Sequence, residues 1–147
     1  PSWRTRGLSE MTKLGTAMGA DPITFLGLAG VGDLVATCAS PLSRNRTFGV
    51  HLGKGRSVED VMSTSRLTCE AVKSCKPIVA LAQANDVEMP ISELVTQVVH
   101  NGLPARELVR RFMSDDVDGG AEQSARGFLA LAKARLAARR ARLTDSR

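Results

Sequence analysis

Tyrosine is missing from these 147 residues, and one tryptophan with four phenylalanines makes up the whole aromatic complement, 3% of the chain. Strand sandwiches pack their pleated faces with β-branched and aromatic side chains. A core this poor in rings is expected to rest on Leu, Val, Ile, Met and Ala in packed helices, within one all-α domain. No apolar run reaches the roughly 18 residues of a membrane-spanning helix, and no secretory signal is visible, though a missing N-terminus would remove one. Histidine is nearly as scarce, with His51 and His100 the only two. Together with Cys38, Cys69 and Cys75 they show no metal-ligand spacing, so no metal is expected. An odd cysteine count without a pairing pattern reads as reduced thiols in a cytoplasmic protein, and Cys38 is expected to be a small buried hydrophobe, not a nucleophile. A dinucleotide fingerprint is absent too, because Gly27, Gly30 and Gly32 sit between helix-like segments without a βαβ setting.

The basic excess is local. Ala121 to Arg147 holds seven basic residues against Glu122 and Asp145, while the remaining 13 basic and 13 acidic residues cancel, so the net +5 belongs to this Ala/Arg-rich segment. A neutral body argues against a nucleic-acid face, and nucleic acid is not an expected partner. The expected organisation is a helical body over 1–114, an acidic and glycine-rich linker over 115–120, and a basic, helical tail over 121–147.

Within the body, apolar spacing and punctuation mark one helix after another. Leu8, Met11, Leu14 and Met18 recur at three and four residues and predict one buried face. Asp21-Pro22 supplies a cap and a first-turn proline for a short helix, and Ser57 with Asp60 resembles a capping box. A helical pattern over about Thr68 to Ala84 contains Pro77, which is expected to kink or divide it. Pro90 begins a further helix that Asn101-Gly102 stops, and Pro104 begins a last one that buries Leu108, Val109 and Phe112.

One stretch carries chemistry. In GVGDLVATCASPLSRNRTFG (Gly30 to Gly49), glycines 30 and 32 can take positive φ angles in a sharp bend, leaving the Asp33 carboxylate to accept from hydroxyl groups. Pro41 then interrupts the chain, and Ser43 caps a helix whose free N–H groups and positive end suit an anion. Arg44 adds a planar fork for phosphate, and Asn45 adds a donor and an acceptor. The combination reads as a seat for a small phosphorylated polyol.

That stretch, with TRGLSEMTKLGTAMGADPITFLGLAG before it and Val87-Glu88-Met89-Pro90-Ile91 after it, resembles the substrate domain of bacterial NAD(P)-dependent glycerol-3-phosphate dehydrogenases over about Thr5 to Met113. The resemblance implies a multi-helix fold of the 6-phosphogluconate dehydrogenase C-terminal-like type. It further implies that Asp33, Ser43, Arg44 and Asn45 bind glycerol 3-phosphate or dihydroxyacetone phosphate, that Arg44 and Glu70 touch NAD or NADP, and that the enzyme can be a homodimer. Glu70 stands in Thr68-Cys69-Glu70-Ala71, where the family usually has valines, glutamate and glycine. The family's dinucleotide domain and catalytic lysine have no counterpart here, since Lys13, Lys54, Lys73, Lys76 and Lys133 all lie in other settings. The chain is therefore expected to be a piece or a truncated paralogue, inactive by itself. The alternative is a non-catalytic helical module whose basic tail binds nucleic acid or anionic membrane.

Overall fold

Proline, serine and aspartate punctuation sets where the helices begin. The computed structural model describes residues 3–64 and 70–115. Trp3–Ala17 forms α1, Pro22–Leu26 α2, Asp33–Ala39 α3, Arg44–Gly53 α4, Val58–Thr64 α5, Glu70–Ala84 α6, Pro90–His100 α7 and Ala105–Asp115 α8. One π-helical turn, Leu28–Gly32, joins α2 to α3. The described residues contain no strand, in line with the all-α expectation. Cys69, the basic tail and the expected linker beyond Asp115 lie outside the described residues.

Three caps form where the side chains call for them. Asp21 Oδ1 accepts from the Ile23 N–H at 3.0 Å with Pro22 in the first turn, and Ser43 Oγ accepts from the Arg46 N–H at 3.2 Å. Ser57 Oγ accepts from the Asp60 N–H at 3.0 Å, but the reciprocal half of the box is missing, because Asp60 Oδ2 accepts from Arg56 Nε at 2.7 Å. Aspartate is one methylene shorter than the glutamate that normally reaches back to the cap, and the neighbouring guanidinium offers a charged partner instead. Gly102, at φ 72°, ends α7 in the left-handed region that other residues avoid.

Four expectations need correcting. Of the two outcomes expected at Pro77, division does not occur, because α6 runs from Glu70 to Ala84 with the proline inside it. Both Pro77 and Lys73, whose carbonyl loses its partner, are exposed, so water can take the lost bond. The buried positions of α1 are Glu10, Thr12 and Thr16, while Leu8, Met11 and Leu14 are half-buried and Met18 lies beyond the helix, 57% exposed. Val109 is exposed although Leu108 and Phe112 are buried, since a residue next to a core position on a helix points about 100° away from it. Cys38 is exposed on α3 and is not a core residue, whereas Cys75 is buried; neither is in a disulfide.

The core gathers Phe48 and Leu52 of α4, Val61 of α5, Val98 of α7 and Leu108 of α8. Helix α7 packs against α1, α6 and α8, and α4 packs against α3, α5 and α8, so these two helices tie the bundle together. Phe48 lies in that core and Trp3 packs against it, while Phe112, 3% exposed, stacks on Trp3 with ring centroids 4.0 Å apart.

Candidate functional site

Asp33 opens α3 and Ser43 caps α4, and the two helices pack against each other. A tight connection holds them. The Ser43 N–H donates to the Ser40 carbonyl at 3.1 Å, the Leu42 N–H to Ser40 Oγ at 3.2 Å, and Thr47 Oγ1 to the Pro41 carbonyl at 3.4 Å. Pro41-Leu42 is thus clasped from both sides, and the first turn of α4 presents Ser43, Arg44 and Asn45 in sequence. Ser43 Oγ is occupied as an acceptor by its cap bond, so its proton is the part left to donate to an anion.

Asp33, Arg44 and Asn45 are exposed and Ser43 is half-buried. Among the described residues, neither the Asp33 carboxylate nor the Arg44 guanidinium has a hydrogen bond or an ion pair. Within the described residues, both charges can engage a ligand without first breaking a pair. Six helical steps of α3 separate Asp33 from Ala39, about 9 Å along the axis, and Ser43 follows four residues later in the chain.

The glycine bend takes a different form from the one expected. Gly32 has φ −62° and ψ −48°, and the stretch before it is a π-helical turn without positive φ. Gly30 is needed for closeness and not for handedness: a Cβ there would stand 2.5 Å from the Phe25 Cα and carbonyl carbon. Because Gly32 is helical, α3 continues from the π turn and has no free N-terminus of its own to attract an anion.

Glu70 is the first residue of α6, exposed and without a side-chain partner among the described residues. It belongs to the helix packed on α7. An open cleft of about 560 Å³ lies elsewhere, between the α4–α5 connection and the α7–α8 turn, and none of the five candidate residues lines it.

The perturbed ionisable groups belong to surface pairs. Hydrogen bonds from Arg110 and Arg111 hold the Glu107 carboxyl down at about 2, and the Arg56 guanidinium lowers Asp60 in the same way. His51 Nδ1 sits 3.4 Å from Arg56 Nη1, and His100 Nε2 lies 2.9 Å from the Val72 carbonyl, so each histidine is engaged by its own surroundings. No group of three His, Cys, Asp or Glu among the described residues could hold a metal ion, and no described helix is long and apolar enough to cross a membrane. Sequence reasoning missed Glu10, a buried carboxylate that caps α7; the available signal was Pro90 at a helix start with Met89 before it and no capping side chain.

A family model described as the C-terminus of NAD-dependent glycerol-3-phosphate dehydrogenase matches residues 2–110. The glycerol-3-phosphate dehydrogenase [NAD(P)+] of a Parafrankia strain is 56% identical over 110 residues, covering 75% of this chain and 33% of the relative. That of Streptomyces griseus is 54% identical over the same shares. The crystal structure of glycerol-3-phosphate dehydrogenase from Coxiella burnetii superposes with a TM-score of 0.71 at 36% identity, covering 75% of this chain and 34% of that one. This chain spans about a third of the length of the curated relatives it matches. A match that takes in α1 to α7 and the candidate site alike means that the chain belongs to the C-terminal family of the NAD-dependent glycerol-3-phosphate dehydrogenases.

Proposed function

We propose that this chain is the substrate-binding part of an NAD(P)-dependent glycerol-3-phosphate dehydrogenase, which interconverts sn-glycerol 3-phosphate and dihydroxyacetone phosphate and so feeds glycerophospholipid synthesis. The observation that carries the reading is the first turn of α4, where Ser43, Arg44 and Asn45 follow one another at a helix start with the Arg44 charge uncommitted among the described residues. A phosphate at that position receives the Ser43 hydroxyl proton, the guanidinium fork and the helix dipole together. Asp33 accepts from the hydroxyls at the other end and, with Asn45, orients the polyol.

NAD or NADP supplies the hydride acceptor when bound. Arg44 and Glu70 are the residues of this chain assigned to it, and two exposed charged side chains fit edge contacts to a dinucleotide but not its enclosure. The rest of its site, and the base that takes the hydroxyl proton, are assigned to the part of the relatives that this chain does not match.

Kinetics in the intact enzyme test the reading. Arg44→Ala is expected to raise KM for glycerol 3-phosphate at least about tenfold, the loss of one charge-assisted contact. An unchanged KM removes Arg44 from the site. The purified chain is expected to show no reduction of NAD(P)+ with glycerol 3-phosphate, and turnover there would place the complete machinery within these residues.

A further inference from the structure

Phe25 is held between two glycines. A Cβ on Gly15 of α1 would stand 2.5 Å from Phe25 Cε2 and closer still to Cζ, so the ring rests on bare helix backbone. A Cβ on Gly30, in the π-helical turn, would strike the Phe25 carbonyl oxygen and stand 2.5 Å from the carbonyl carbon and Cα. The first clash is with a ring that can turn aside; the second is with backbone that cannot. These two positions let α1, α2 and the π turn stack more closely than side-chain-bearing residues permit.

Asp33 lies at the far end of that stack. Its N–H donates to the carbonyls of Gly30 and Leu28, with φ −65° and ψ −43°, so the backbone from Gly30 to Asp33 is continuously helical. A shift at Gly30 is carried to Asp33 and not absorbed by a loop. A π turn holds one residue more than an α turn, which sets the direction in which the next residue leaves it, and such turns recur at functional sites.

We infer that Gly15, Phe25 and Gly30 are positioning residues for Asp33, fixing where its carboxylate stands relative to the anion seat at the head of α4. The inference rests on the assignment of Asp33 to the glycerol end of the ligand. Helix propensity alone points the other way at Gly15, since alanine is the better helix former there. Harm from Gly15→Ala is therefore a mark of the ring contact and not of the helix.

The test is a ¹⁵N NMR titration of the 147-residue chain with glycerol 3-phosphate and, separately, with inorganic phosphate. In the wild type both ligands shift the amides of residues 43–45, and only glycerol 3-phosphate shifts Asp33. In Gly15→Ala the Asp33 amide moves before any ligand is added. Its Kd for glycerol 3-phosphate rises about fivefold, the worth of one hydrogen bond, while its phosphate affinity stays put. Adding Phe25→Leu, which shortens the ring to a branched chain, brings the Kd back toward the wild type. Gly30→Ala gives the same loss without that rescue, because its clash is with backbone; if it does not fold, the Gly15→Ala and Phe25→Leu pair is decisive. A folded Gly15→Ala with an unmoved Asp33 amide overturns the inference, as does a parallel loss of phosphate and glycerol 3-phosphate affinity. If glycerol 3-phosphate leaves the wild-type Asp33 amide unmoved, the assignment of Asp33 falls, and the ligand-free Asp33 resonance in the variants still decides whether the stack positions it.

Discussion

The Glu10 carboxylate of α1 accepts hydrogen bonds from Ser92 of α7, 3.1 Å from its N–H and 2.8 Å from its hydroxyl, across 82 positions of sequence. The same carboxylate takes the Ile91 N–H at 2.6 Å. Helix α7 opens on Pro90 and has no cap from Met89, so its exposed donors are satisfied by a side chain from another helix. The bond set ties the first helix of the fold to the helix at its centre.

Removing that carboxylate leaves two backbone N–H groups without a partner beside a residue that is 5% exposed. Glu10→Ala is expected to cost about 3 kcal/mol, the range for charge-assisted bonds plus an orphaned donor. Glu10→Gln, which keeps one acceptor oxygen, costs less. Urea unfolding of the two variants against the wild type measures it, and equal midpoints would mean that water replaces the cap at no cost.

Glu107 predicts a pH dependence with a definite sign. Its carboxyl accepts from Arg110 Nε at 2.9 Å, Arg110 Nη2 at 2.7 Å and Arg111 Nε at 3.1 Å, which lowers it from 4.5 to about 2. A folded-state value below the unfolded one gives stability that is present above pH 4.5 and lost as pH falls toward 2. Both guanidinium groups are exposed and Glu107 is half-buried, so the effect is small and shrinks with salt. Thermal melts across pH 2 to 5 should show a shallower slope for Glu107→Gln than for the wild type.

Ser43 has two separable duties, capping α4 and donating to an anion. Ser43→Asp retains a good N-cap acceptor and places a negative charge where phosphate would sit. It is expected to leave the melting temperature unchanged or slightly raised and to weaken phosphate binding at least about tenfold through like-charge repulsion. Ser43→Ala, in contrast, loses about 1 kcal/mol of stability with the cap. Wild-type phosphate affinity in Ser43→Asp would move the anion seat elsewhere.

The Trp3–Phe112 stack has rings inclined by 15°, with Arg6 Cζ lying 4.5 Å from the Phe112 centroid, and joins α1 to α8. Phe112→Ala is expected to cost about 4 kcal/mol, as for other buried phenylalanines. Trp3 is the sole tryptophan, so its fluorescence reports this contact directly. An emission maximum that is the same in Phe112→Leu and the wild type would show that the rings do not stack in solution.

Much of the helix order could be read from the chain because caps, prolines and apolar spacing act within a few residues. Asp21-Pro22, Ser43, Ser57 and Asn101-Gly102 each do locally what their chemistry dictates. The acid, serine, arginine and asparagine proposed for the site stand in one short run of the sequence, and of that run the structure adds the Ser43 cap of α4. Cys38 and Val109 went astray because burial is set by which helix lies opposite, and Pro77 because a broken bond on a wet surface costs too little to end a packed helix.

Sequence alone determined that this protein is helical and which neighbouring residues, Asp33 and Ser43 to Asn45, are proposed to meet a ligand, since propensity, capping and charge are properties of neighbouring residues. Tertiary structure alone decided that Glu10 caps α7, that Phe25 lies against Gly15 and Gly30, and that Asp33 leaves a π turn and not a glycine bend. Those outcomes depend on how closely separate helices approach, and that distance is set by side-chain volumes brought together from distant parts of the chain.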